Sequence, residues 1–207
     1  MEKSIENKIV EKIKKAKRGA LFFADNFAVF GNIDTIYRTL NRLVAKGELD
    51  KVTNGIYYRP QIDKIIGKIT PQIEDVAGAI ARRDKAKIVP TGAYALNRLG
   101  LSTQVPMKVV YLTDGSARNV KVGNYTISFI RTSPKNVSAI GKISRLAIQA
   151  LKSIGRENVK PHEIEQIQNA LLKEKISYLE HDFRVAPAWI KEIIRHSLEK
   201  LKGNEQK

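Results

Sequence analysis

Short polar side chains and cations recur between residues 35 and 46 at the spacing of one helix face. They are Thr35, Arg38, Thr39, Asn41, Arg42 and Lys46. Such residues hydrogen-bond base edges and phosphates when a helix lies in the major groove of duplex DNA. The pattern therefore predicts a helix that reads DNA. Asp34 fits this interpretation least well, because its charge repels phosphate.

The segment that carries these residues is predicted to be a helix with one buried face. Its apolar side chains are Ile33, Ile36, Leu40, Leu43 and Val44, which share that face. Asn32 is suited to cap its N-terminus, and Gly47 ends it. Residues 33–46 are called the reading helix below.

A β-hairpin is predicted directly after the reading helix. Residues 48–52 and 56–59 are strand-like and flank Thr53-Asn54-Gly55, and Asn-Gly between two such runs is a strong hairpin signal. This hairpin would be a wing that contacts the sugar-phosphate backbone and fixes the register of the protein on DNA. Its candidate contact residues are Lys51, Thr53, Asn54, Tyr58 and Arg59.

Two further helices are predicted before the reading helix. Ser4 can cap the first, whose core face would be formed by Ile5, Ile9, Ile13 and Ala16. Residues 24–30 would form the short second helix. Residues 1–62 are therefore predicted to be a winged helix-turn-helix DNA-binding domain. The alternative is a wing that docks on another protein, with Arg38 and Arg42 merely solvated.

The charge of the chain favours a polyanionic partner. The formal net charge is +16 over 207 residues, and each phosphate that Lys or Arg neutralises releases counterions. The surplus is present on both sides of residue 60, with 12 Lys and Arg against 7 Asp and Glu before it and 25 against 14 after it. Double-stranded DNA is the expected partner.

Membranes, secretion and disulfides are not expected. No stretch approaches the roughly 18 apolar residues of a spanning helix, and the N-terminus lacks the apolar core of a signal peptide. The chain has no cysteine, so thiol catalysis, thiolate metal sites and disulfides are excluded. We therefore expect a cytoplasmic protein.

The rest of the chain predicts a second domain over residues 70–207, after a partly helical connector at 62–69. Helices are expected at 72–83, 91–99, 140–154, 161–173 and 187–201, and strands at 87–89, 108–113, 118–122 and 125–131. Gly123-Asn124 would join the last two strands as a hairpin. The predicted fold class is α+β: a winged helix-turn-helix, then a mixed α/β domain with a small sheet and a helical C-terminus.

The helix expected at 140–154 would carry a second basic face. Lys142, Arg145, Lys152 and Arg156 recur with Gln149 at three- and four-residue spacing, and no carboxylate interrupts them. Polar faces of helices usually mix both signs of charge. An anion-binding face and an ordinary solvated face are both consistent with this pattern.

No catalytic constellation is recognisable. His162-Glu163 begins like a zinc-protease helix, but residue 166 is Gln where a second His would be needed. Gly115-Ser116 lacks the following carboxylates that would hold catalytic magnesium. Glu180-His181-Asp182 is interpreted as structural or surface. We expect no enzyme activity, metal or cofactor, although a nuclease with dispersed carboxylates stays open.

Several motifs resemble a known family. KRGALFFADNF, LNRLVAKGEL and NGIYYRP are similar to the DNA-binding domain of the AbiEi-type antitoxins, transcriptional regulators of type IV toxin-antitoxin and abortive-infection systems. TPQIEDVAGAIARRD, VPTGAYALNRLGLSTQVP and VVYLTDGSARNV resemble the second domain of a DUF6088-like branch of that family. The similarity covers roughly residues 10–155.

This resemblance implies a non-enzymatic antitoxin that represses its own operon and neutralises a nucleotidyltransferase-like toxin. The DNA-reading helix of the family would correspond to residues 33–46 and its wing to residues 48–59. Asp34 and Thr35 depart from the small residues expected early in that helix. A monomer or weak dimer in solution, with two copies on paired half-sites, is expected.

Two other functions remain alternatives. The chain could be a winged-helix regulator that has no toxin partner. It could also be a basic protein that binds RNA or accompanies a nuclease.

Overall fold

The protein, described by a computed structural model over residues 4–205, is an α+β protein, as predicted. Its contacts divide it into two compact units. The first runs to Ala79 and takes in Lys121–Asn124, and the second comprises Ile80–Val120 and the chain from Tyr125 onward. Within the described residues, no helix combines the length and apolar character needed to cross a bilayer.

The first unit begins with a helix, a strand, a 3₁₀ turn and a second helix. Helix α1 spans Ile5–Lys15, strand β1 Leu21–Phe23, the 3₁₀ segment Ala24–Phe30 and helix α2 Ile33–Ala45. Side chains cap both helices as expected: Ser4 Oγ accepts from Asn7 N–H at 3.2 Å, and Asn32 Oδ1 accepts from Thr35 N–H at 2.8 Å. The predicted short second helix is therefore a 3₁₀ turn, and α2 is the reading helix.

A hairpin follows α2 and completes a three-stranded antiparallel sheet. Strands β2 (Asp50–Thr53) and β3 (Ile56–Tyr58) are joined by Asn54-Gly55, and the sheet order is β1-β3-β2. Gly55 has φ 76°, a left-handed conformation that suits glycine and explains the Asn-Gly signal. The predicted hairpin is confirmed.

One apolar core holds these elements together. Its fully buried members come from both helices, the 3₁₀ segment and the sheet: Ile9, Phe27, Ile36, Leu40, Leu43, Leu49 and Tyr57. Burying each aliphatic side chain contributes about 1.5–3 kcal/mol. The orientation of α2 relative to the hairpin is thus fixed by packing.

The connector prediction for residues 62–69 was wrong, because this stretch is a second hairpin. Strands β4 (Gln61–Asp63) and β5 (Gly67–Ile69) pair antiparallel. Asp63 Oδ1 accepts from the N–H groups of Ile65 and Ile66 at 2.8 and 3.1 Å, which turns the chain back on itself. Isoleucine also favours strands over helices because its branched side chain is stiff.

The second unit contains a four-stranded mixed sheet. Helix α3 (Ile73–Arg83) spans the division after Ala79, and it is followed by β6 (Ile88–Pro90), helix α4 (Ala93–Arg98), β7 (Lys108–Thr113), β8 (Arg118–Val122) and β9 (Tyr125–Arg131). The turn between β8 and β9, Lys121–Asn124, is counted with the first unit. The order is β6-β7-β9-β8, with β6 antiparallel and β9 parallel to β7. The bounds of the last three strands agree with the prediction.

Helices complete the second unit around a second core. A 3₁₀ turn (Pro134–Val137) precedes α5 (Ser144–Ile154), α6 (Pro161–Leu171), α7 (Ile176–Val185) and α8 (Ala188–Glu205). Their buried residues form one cluster that includes Leu151, Ile167, Leu171, Leu179, Ile190 and Ile194. The sequence prediction included α6 and α8 but omitted α7.

Two buried carboxylates move the start of α5 from the predicted Ile140 to Ser144. Asp182 accepts from the N–H groups of Ile140 and Gly141 at 2.8 and 2.9 Å, and Glu174 accepts from those of Ile143 and Ser144 at 2.6 and 3.1 Å. Charged acceptors satisfy these donors better than a helical turn would. Residues 140–143 therefore wrap around the carboxylates.

Candidate nucleic-acid interface

Three predicted contact residues of the first unit are exposed, and their side chains make no hydrogen bond or ion pair within the described part of the chain. They are Arg38 on α2, Lys51 on β2 and Asn54 at the hairpin tip. Thr35 and Thr53 are half-buried, and the backbone N–H of Thr35 is used by the Asn32 cap. The side chains of Arg38, Lys51 and Asn54 are therefore available to a partner.

Two predicted contact residues are buried, so assigning them to DNA contact was wrong. Thr39 is 1 % exposed, because it lies three residues after Ile36 and four before Leu43 and shares their face. Tyr58 is 3 % exposed. Burial and the neighbouring Asp50 carboxylate raise the pKa of the Tyr58 hydroxyl to about 12. Both side chains belong to the interior of the unit.

Arg42 and Lys46 are held by a carboxylate from α1. Arg42 Nη2 lies 3.0 Å and Lys46 Nζ 2.7 Å from the two oxygens of Glu6. The hydrogen bond from Lys46, followed by the charge of Arg42, lowers the pKa of Glu6. Because all three side chains keep solvent contact, these pairs are weak and reversible. The two cations are therefore not free while Glu6 is ionised.

Arg59 and Asn41 hold the sheet against the helices. Arg59 Nη1 donates to the carbonyl of Lys14 at 2.9 Å and also to that of Ala16. The Tyr57 hydroxyl donates to Asn41 Oδ1 at 3.3 Å. Arg59 therefore joins the hairpin to the end of α1, and Asn41 joins α2 to β3. Their geometry supports positioning of the elements more directly than contact with a ligand.

Exposed apolar residues that the sequence prediction did not assign to the site lie on the same surface. Ile33 is 43 % and Tyr37 40 % exposed, although the helical period had placed Ile33 in the core. The Tyr37 hydroxyl lies 3.9 Å from the position that a Cβ would take at Gly55. The Tyr37 hydroxyl therefore lies beside the hairpin tip, and Ile33 lies one helical turn before Tyr37 on α2.

The predicted second basic face is only partly open. Lys142, Lys152 and Arg156 are exposed, Arg145 is half-buried, and its Nε has no hydrogen-bond partner in the described structure. Gln149, expected on the same face, is buried. Burial and the nearby Lys135 lower the pKa of Lys152. Residues 115–156 contain eight Lys and Arg and no Asp or Glu.

The residues expected to lack catalytic function form no recognisable catalytic arrangement. Among residues 4–205, no cluster of His, Asp and Glu side chains has the geometry of a metal site. Ser144 Oγ donates to Asp182 Oδ2 at 2.5 Å, and His181 Nδ1 lies 2.9 Å from Asp182 Oδ1. The serine is buried, and its hydroxyl contacts the Asp182 carboxylate instead of the imidazole.

Comparisons with known proteins give a family but no activity. A family model described as a family of unknown function, DUF6088, matches residues 8–179. A search among curated proteins finds no significant match. The crystal structure of the RV2827C protein from Mycobacterium tuberculosis matches with 13 % identity and a TM-score of 0.44, covering 92 % of this chain and 80 % of that one.

Proposed function

Because this chain belongs to the DUF6088 family, which is of unknown function, we propose a function from the geometry of its first unit: the protein is a regulator that binds duplex DNA. The observation that carries this proposal is that α2 and the β2–β3 hairpin meet where Tyr37 approaches Gly55. These two elements carry Arg38, Lys51 and Asn54, whose side chains are exposed and unpaired within the described chain.

The order of elements in the first unit supports a winged helix-turn-helix. Helix α1, the 3₁₀ turn and α2 precede a hairpin, and β1 closes a sheet of order β1-β3-β2. In a winged helix the last helix enters the major groove and the hairpin lies along the backbone. Arg38 would then contact base edges, and Lys51 and Asn54 would contact phosphates.

The electrostatics of the chain support the same proposal. A net charge of +16 attracts phosphate at low salt and accelerates encounter with DNA. Glu6 holds Arg42 and Lys46 in weak exposed pairs, and these cations can exchange the carboxylate for phosphate. Within the described chain, this surface thus presents the unpaired Arg38 and Lys51 together with two cations that bound DNA can recruit.

Binding to a duplex from the region upstream of the coding sequence tests the proposal. Arg38→Ala should lower the affinity for that duplex by about tenfold or more while leaving binding to unrelated DNA nearly unchanged. Lys51→Ala should weaken binding to both and reduce the slope of log affinity against log salt by about 1. Fluorescence anisotropy across a salt series measures both quantities.

Lys200→Ala is the matched control, because Lys200 is an exposed lysine of α8 in the second unit. It removes the same charge as Lys51→Ala and should have the smaller effect. If Arg38→Ala and Lys51→Ala bind like the control, α2 and the hairpin are not the DNA interface. Stronger competition by RNA than by duplex DNA would favour the alternative of an RNA-binding protein.

We further propose that this regulator is the antitoxin of a toxin-antitoxin pair. The support is the resemblance of its motifs to AbiEi-type antitoxins, which implies a nucleotidyltransferase-like toxin as partner. Co-expression with the product of a neighbouring nucleotidyltransferase gene should restore growth and allow the two proteins to co-purify. If that gene product is toxic and this chain neither binds nor neutralises it, the antitoxin proposal is wrong and the chain is a regulator without a toxin partner.

A further inference from the structure

We propose that the reading helix selects thymine-containing sites through apolar contacts of Ile33 and Tyr37 with thymine methyl groups. This inference rests on the proposed DNA-binding function and names the feature of DNA that this surface recognises. The two side chains lie four residues apart near the N-terminus of α2, and that end of a reading helix contacts base edges in helix-turn-helix proteins.

The exposure of these side chains is not explained by the core. Ile36, Leu40 and Leu43 on the same helix are fully buried, and Ile33 and Tyr37 are not among the residues that pack against their cluster. An isoleucine and a tyrosine left open on a small basic unit expose apolar surface that folding alone does not require. Exposed apolar side chains bordered by polar residues occur at binding surfaces, and this pair is bordered by Asp34 and Arg38.

The residues around the patch indicate DNA as its occupant. Arg38 follows Tyr37 on α2, and the hairpin tip next to Tyr37 lies at the end of the strand that carries Lys51. Phosphate would be attracted to both cations. Asp34, in the first turn of α2, is exposed and repels phosphate. The first turn of α2 is therefore suited to contact the bases of DNA, and the cations around it are suited to contact the DNA backbone.

Thymine is the base that an apolar side chain can recognise in the major groove. Its C5-methyl group is the apolar feature that distinguishes a T·A pair from the others, whereas the remaining signals are hydrogen-bond donors and acceptors. Isoleucine has no donor or acceptor in its side chain. Contact with a methyl group is thus the base-specific interaction available to Ile33, and the Tyr37 ring offers a second apolar face.

Replacing thymine by deoxyuridine tests this inference, because it removes the methyl group and keeps the base pairing. Duplexes are first selected from a random-sequence pool with the whole protein, and each thymine of the selected site is then replaced in turn. We expect affinity to fall by about fourfold at each position where a thymine methyl group packs against the protein. Ile33→Ala should bind the thymine duplex more weakly and respond less to the replacement.

Two variants control for the general effects of these substitutions. Ile65→Ala truncates an isoleucine that is 93 % exposed on the β4–β5 hairpin, and it should leave both affinity and deoxyuridine sensitivity unchanged. Tyr37→Phe keeps the ring and should preserve the sensitivity that Tyr37→Ala reduces. An unchanged thermal melting temperature would show that each variant is folded.

The outcomes separate this inference from the proposed function. If the protein selects a sequence but binds the fully deoxyuridine-substituted duplex equally well, methyl recognition is wrong and DNA binding stands. If no duplex is enriched or bound, the proposed function fails and the inference fails with it. If Ile33→Ala abolishes co-purification with a protein partner but not DNA binding, the patch is a protein-docking surface and the inference is overturned.

Discussion

Glu6 forms ion pairs with two cations near the C-terminus of the reading helix, Arg42 and Lys46. These interactions lower the pKa of the Glu6 carboxylate. A carboxylate with a lowered pKa in the folded state stabilises the protein above its unfolded pKa, and this contribution is lost as the pH falls through the lower folded value. The pairs are therefore intact at neutral pH and weaken only in acid.

Removing this carboxylate should strengthen non-specific DNA binding. Glu6→Gln removes the carboxylate that competes with phosphate for Arg42 and Lys46, so we expect affinity for unrelated duplex DNA to rise by about threefold at low salt. Glu48→Gln is the control, since Glu48 is exposed and makes no ion pair in the described structure. Equal affinities of the two variants for that duplex would mean that Glu6 does not restrain the cations.

The polar face of α2 could be predicted from the sequence, but the hydrogen bonds and ion pairs of the side chains on that face could not. The caps at Ser4 and Asn32 and the Asn-Gly turn are local, so the sequence was sufficient to predict them. The pairing of Glu6 with Lys46 joins residues 40 positions apart, and the staple from Arg59 to Lys14 joins residues 45 apart. Such contacts depend on tertiary packing, which helical periodicity does not describe.

At the scale of elements, hairpins with a two-residue turn were easier to predict than the β4–β5 hairpin or the start of α5. The hairpins at Asn54-Gly55 and Gly123-Asn124 follow from two-residue turns. The parallel pairing of β7 with β9 does not follow from a local turn, because β8 lies between these two strands in the sequence. The start of α5 depends on Glu174 and Asp182, and a local pattern of apolar residues contains no sign of those carboxylates.

The two carboxylates should be required for stability. Asp182→Asn replaces one charged acceptor by an N–H donor that faces the N–H of Ile140 or Gly141. We expect a loss of about 2 to 4 kcal/mol in the free energy of unfolding, measured in urea.

Glu180→Gln is the control for the loss of a carboxylate from α7. Glu180 pairs at the surface with Lys202 at 2.6 Å, so the unfolding curve should change little. Similar curves for Asp182→Asn and Glu180→Gln would show that Asp182 does not hold the segment before α5.

At the scale of the whole molecule, the distribution of charge makes a polyanion-binding face on the second unit a testable prediction. The acid-free stretch 115–156 includes the exposed residues Lys142, Lys152 and Arg156, and within residues 4–205 these three make no ion pair. Arg118 of the same stretch pairs with Asp84. The unpaired positive charge of the stretch is therefore carried by other residues, including Lys142, Lys152 and Arg156.

Charge reversal distinguishes a functional face from a solvated one. Changing Lys142, Lys152 and Arg156 to Glu should weaken DNA binding and reduce the salt slope by about 2 to 3 if the face contacts phosphate. The control reverses Lys173, Arg195 and Lys200, three exposed cations of the second unit, and changes the net charge equally. If both variants lose the same amount of DNA affinity, the loss is due to net charge alone and not to this face.

The wrapping of residues 140–143 around Glu174 and Asp182 also has a consequence for synthesis. The acceptors are 30 to 42 residues farther along the chain than the donors they bind. A nascent chain on the ribosome that ends before Glu174 has neither acceptor, so its apolar period would let the helix begin near Ile140. Residues 140–143 can therefore reach their final conformation only after Glu174 and Asp182 have been synthesised.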